Sequence, residues 1–61
     1  MIYRCTKELT VGANTIPIGA VIEHVGHDSH YGKACRTFAV GGVHYCIYLD
    51  AFKAHFEEDM T

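Results

Sequence analysis

Three of the five histidines fall in one short stretch, His24-Val25-Gly26-His27-Asp28-Ser29-His30. Neutral imidazole binds zinc, nickel or copper and a carboxylate can complete the set, so His24, His27, Asp28 and His30 are the candidate metal donors. Steps of three at a strand-to-loop junction do not gather ligands on one face as an i, i+4 pair on a helix does. The loop would have to wrap around the ion, and the favoured expectation is a solvated polar loop with no metal and no cofactor. The second cluster is Cys35, Cys46 and His44. A thiol beside an imidazole is the nucleophilic pair of thiol enzymes. An exposed sheet face offers neither an oxyanion hole nor a pocket, so these cysteines are expected to pack as small apolar side chains and the chain is not expected to be an enzyme.

The elements that must position these groups centre on 36–49, where two β-branched and aromatic runs flank Gly41-Gly42. Adjacent glycines suit a type I′ turn, which needs positive φ at both central residues. The predicted register pairs Val40 with Val43, Phe38 with Tyr45, Arg36 with Ile47 and Ala34 with Leu49 on a core-facing side. The other side then carries Ala39 with His44, Thr37 with Cys46 and Cys35 with Tyr48. Cys35 and Cys46 are thus diagonal neighbours, poorly placed for a disulfide, whose Cβ atoms need to be about 3.8 Å apart.

Upstream, 9–16 reads as two strands around a Gly/Asn turn, followed by a Pro17/Gly19 turn and a strand from Ala20 to Val25. Gly26 to Lys33 reads as an exposed loop. At the C-terminus the period changes. Asp50 suits an N-cap, Phe52 and Phe56 share a face at i, i+4, and a helix is predicted over about 50–58 with both phenylalanines buried. The acids Glu57, Glu58 and Asp59 would sit at its unfavourable pole, so docking rather than propensity must hold that helix.

Composition limits the partners. The chain has 61 residues, 49% of them hydrophobic, and a formal charge of -2. One globular domain over 1–61 is expected, with a core too small to enclose an active site. Its five basic residues are scattered and outnumbered by acids, which places nucleic acid low among the partners. The start Met1-Ile2-Tyr3-Arg4 lacks the features of a signal peptide and no apolar run is long enough to span a bilayer, so a cytoplasmic, non-membrane protein is expected. Three cysteines without a CxxC spacing fit reduced thiols.

The Ile-Pro-x-Gly-x-Val-Ile step at Ile16 to Ile22, the late hairpin at Gly41-Gly42 and the short closing helix together resemble the small SH3-like barrels, over roughly Tyr3 to Leu49. The resemblance implies a mainly β (α+β) fold, an antiparallel barrel of about four or five strands with one C-terminal helix. In style the chain is also similar to accessory proteins of tailed phages, many of which bind and inhibit or redirect one host protein. That implies a non-enzymatic protein-binding module in the host cytoplasm, acting by occluding a surface. Tyrosine exposed beside arginine is interface composition, so Tyr31, Arg36, His44 and Tyr48 are the candidate partner-binding residues. Self-association through an edge strand around Ile2 to Thr6 is expected as well. The alternative is an oligomeric small-ligand or nucleotide sponge, with Arg4, Lys33 or Arg36 facing phosphate at subunit boundaries.

Overall fold

The computed structural model describes residues 2–59. Its elements, in order, are β1 (Ile2–Cys5), β2 (Leu9–Val11), β3 (Asn14–Ile16), β4 (Val21–Ile22), β5 (Gly26–His30), β6 (Lys33–Val40), β7 (Val43–Tyr48), α1 (Leu49–His55) and β8 (Phe56–Asp59). The fold is mainly β, built from three antiparallel sheets, β4-β1-β8, β2-β3 and β5-β6-β7. The ladders do not join into a closed barrel.

The β6–β7 hairpin forms as its sequence dictates. Gly41 and Gly42 take φ 58° and 81°, and the ladder runs from Val40↔Val43 through Phe38↔Tyr45 to Cys35↔Tyr48 in the expected register. The predicted Ala34–Leu49 pair is absent, because Leu49 already begins α1. An added Cβ at Gly42 meets nothing within 4 Å, so Gly42→Ala tests the backbone alone. Holding an L-residue in the left-handed region costs about 1–2 kcal/mol. Thermal melting is expected to shift down by roughly 4–8 °C for each kcal/mol; an unshifted melt would contradict the turn.

Four other expectations are corrected. The stretch 26–33 is not a loop: β5 pairs with β6 from Gly26↔Thr37 to His30↔Lys33 around a tight turn at 31–32. Its residues are polar on both faces because all five are exposed, so alternation could not reveal the strand. The strand expected from Ala20 to Val25 shrinks to Val21–Ile22, with Ile22 buried and Val21 exposed. The helix ends at His55 rather than about 58, and its N-cap position is Tyr48, without a side-chain cap bond, rather than Asp50. Residues 56–59 turn extended, Phe56 taking φ -127° and ψ 147°, and pair with β1 from Cys5↔Phe56 to Ile2↔Asp59. That relieves the acids of the unfavourable helix pole and lets Asp59 Oδ2 accept a hydrogen bond from Arg4 Nη2 at 2.6 Å.

The fourth correction concerns the sheet edge. β1 lies between β4 and β8, so both its sides are paired and it offers no edge for self-association.

The sheets share one core of Cys5, Ile16, Ile22, Phe38, Tyr45, Phe52 and Phe56. Phe38 is its hub, with ring centroids 5.5 Å from Tyr45, 5.9 Å from Phe52 and 5.2 Å from Phe56. Phe52 and Phe56 are both buried, as expected, and their rings stack at 5.0 Å although Phe56 lies beyond the helix. A knot of backbone bonds ties the chain crossings: Thr6 N–H donates to the His55 carbonyl at 2.8 Å, and Gly19 N–H to the Cys5 carbonyl at 2.8 Å.

Candidate functional site

The β5-β6-β7 sheet has two faces of different character. Alternation places Phe38, Tyr45, Arg36 and Ile47 on the core side. The outer side carries His30 and Asp28 from β5, Lys33, Cys35, Thr37 and Ala39 from β6, and His44, Cys46 and Tyr48 from β7. Of the candidate residues singled out from the sequence, Asp28, His30, Cys35, His44, Cys46 and Tyr48 therefore fall on one surface.

Strand geometry disperses the candidate metal donors. Asp28 and His30 share the outer face, His27 projects from the opposite one, and His24 precedes β5. Among the described residues no three His, Cys, Asp or Glu side chains are gathered closely enough to hold an ion. Asp28 instead turns back on its own strand, where Oδ1 accepts a hydrogen bond from Ser29 N–H at 2.8 Å. One donor along exposed β5 is thereby occupied, a local way of blunting an edge.

Of the four candidate interface residues the structure brings two close together. The β5–β6 turn places Tyr31 at its tip, 89% exposed, with φ 51° followed by Gly32 at 76°. Asparagine, aspartate or glycine is the ordinary occupant of such a position, and a bulky aromatic there is strained. The Tyr31 ring sits 4.4 Å from the His30 ring, edge to face. His30 in turn lies 6.5 Å from Tyr48, over which Lys33 Nζ stands at 5.7 Å from the ring centroid. His44 occupies the same face at the opposite end of β7, next to the glycine turn. Arg36 belongs to the other face, its Nη1 donating to the Cys35 carbonyl at 2.9 Å. Sequence reasoning missed His30 and Lys33 as members of the aromatic cluster, because seeing them there requires knowing that β5 pairs with β6.

Beneath Tyr48 lies the thiol pair. Cys35 is buried and Cys46 exposed, two residue pairs apart along the ladder with Arg36↔Ile47 between them. Burial pushes the Cys35 thiol above its ordinary value, and the neighbouring Cys46 and Asp28 push it further, while a hydrogen bond with the His30 backbone pulls it back. The thiolate is the nucleophile, so this environment works against a catalytic cysteine. The sign of the pH effect follows. A raised folded-state value means that its stability contribution is whole below the ordinary thiol value of 9.0 and fades as pH rises through the higher folded one. Denaturant titrations of the native chain and Cys35→Val at pH 8 and 10 should therefore show a steeper alkaline loss in the native chain; parallel losses would refute this account.

Two grooves meet at Cys46. One is lined by Cys35, His30, Tyr48, Leu9 and Ala51, the other by His24, Thr37, His44 and Tyr45. Gly26 edges the second groove, and a Cβ there would fall 2.3 Å from Thr37 Oγ1, so the glycine permits close approach of β5 to β6.

No described helix is long and apolar enough to cross a membrane. Compared with protein-family models, with curated proteins and with solved structures, the chain finds no match.

Proposed function

We propose that the chain is a small non-enzymatic protein-binding module of SH3-like arrangement, an accessory protein that inhibits or redirects its partner by occluding a surface. The observation that carries this reading is Tyr31: a large aromatic ring, almost wholly exposed, on a left-handed backbone that its residue type disfavours. Strain of this kind persists where the surroundings over-determine it, and it clusters at binding sites. Tyr48, His30 and Lys33 extend the tip into an aromatic and basic patch. Tyrosine is an effective anchor because it combines wide apolar area with a polar end.

The SH3-like reading is supported by three antiparallel sheets folded around a single core. Because Asp28 already occupies the Ser29 N–H, recognition on this edge proceeds through side chains of the tip rather than by strand addition.

The test is a paired capture with tagged native chain and Tyr31→Asn, which keeps the turn. A protein retained by the first and released by the second supports the module. Equal retention by both, or none by either, overturns it.

A further inference from the structure

The thiol pair on the outer face adjoins the aromatic tip, sharing a groove with His30 and Tyr48. Cys35 and Cys46 come from adjacent strands, point to the same side and line one groove, Cys35 at its floor and Cys46 at its mouth. We propose that Cys35 and Cys46 together form a two-coordinate binding site for one copper(I) ion.

Three features select that ion. The first is donor chemistry: paired sulfurs favour soft copper(I) over magnesium, calcium or manganese. The second is donor number. Structural zinc takes four ligands, and among the described residues no cluster of three His, Cys, Asp or Glu exists. Copper(I) accepts two thiolates alone. The third is the ladder offset. Cys35 pairs with Tyr48 and Cys46 with Thr37, so the thiols are diagonal, a spacing of about 7–8 Å for such positions before side chains lean together. Direct bridging requires Cα atoms within about 7 Å and converging Cβ vectors. An ion bridging two sulfurs, each through a bond of about 2.3 Å as for zinc thiolates, tolerates the wider span.

Binding releases both thiol protons as the two metal–sulfur bonds form; no electron is transferred. Tyr48 lines the same groove as the pair.

Cys5 supplies the internal control. It is fully buried in the main core, and its thiol donates to the Lys7 carbonyl at 3.1 Å.

The experiment is an anaerobic titration of the reduced full chain with copper(I), in competition with a chromophoric copper(I) chelator. It is run on the native chain, Cys46→Ala and Cys5→Ala, with the oligomeric state followed by native mass spectrometry. One ion per monomer is expected in the native chain and in Cys5→Ala, with loss of that complex in Cys46→Ala. Cys46 is exposed, so its removal leaves the core intact; a native-like circular dichroism spectrum checks this. If Cys5→Ala does not fold, thiol-alkylation protection confined to Cys35 and Cys46 in the copper-loaded native chain replaces it. Retained binding in Cys46→Ala, one ion shared by two chains, or no binding at all overturns the proposal.

Discussion

Phe38→Ala is expected to lose most of the folding stability of the domain. The ring contacts Tyr45, Phe52 and Phe56 together, and so joins the hairpin to the helix and to β8. Truncating a buried phenylalanine costs about 3–5 kcal/mol, part transfer and part cavity. A chain of 61 residues has roughly 3–9 kcal/mol in all, at about 0.05–0.15 kcal/mol per residue. The rigid strands on either side leave little room for collapse into the space vacated. Phe38→Leu, which keeps most of the volume, is expected to stay folded. Chemical denaturation followed by near-ultraviolet circular dichroism distinguishes the two; a Phe38→Ala midpoint close to that of the native chain would show that the hub is misassigned.

The second large effect has opposite signs in stability and binding. Tyr31→Asn replaces a strained aromatic by a residue at ease with positive φ, a relief of about 1 kcal/mol. It also removes the ring contact with His30 at 4.4 Å. An aromatic pair of this kind contributes at least about 0.5 kcal/mol, and its exposure keeps it at the low end. Relief exceeds loss, and a net gain of about 0.5 kcal/mol is expected. Partner affinity should fall by about 2 kcal/mol or more, the cost of losing an anchor. A variant that is both less stable and still bound to the partner would contradict the reading on both counts. That pair of outcomes would make the native tyrosine a case of stability given up for recognition.

How far the sequence alone could lead is clear from individual residues. Gly41-Gly42 set one local turn and thereby every pair of the β6–β7 ladder, including the diagonal placement of Cys35 and Cys46. The spacing of Phe52 and Phe56 announced their burial whichever secondary structure held them, and Phe56 is buried as the first residue of a strand. What stayed hidden was non-local. Phe56-Glu57-Glu58-Asp59 continues a helical pattern by itself and becomes β8 only because β1 is there to receive it. Gly26 to His30 lacks an apolar face, since it is an exposed strand that buries nothing, so no periodicity marked it. The aromatic tip was half legible: Tyr31 and Tyr48 stood out by type, whereas the left-handed backbone under Tyr31 contradicts its residue type. Local rules are often broken at functional positions.

The pairing of β1 with β8 also dictates an order of events during folding. The β6–β7 hairpin closes over a two-glycine turn and can form by itself within microseconds. The Ile2↔Asp59 end of the other ladder joins opposite ends of the described chain, so it must wait until everything between has been placed. Such long-range closure slows folding far more than it alters final stability. Until it occurs β1 and β4 have neither β8 nor a completed core to hold them, and the interval in which the apolar strands stand open to other chains is set by this last seam.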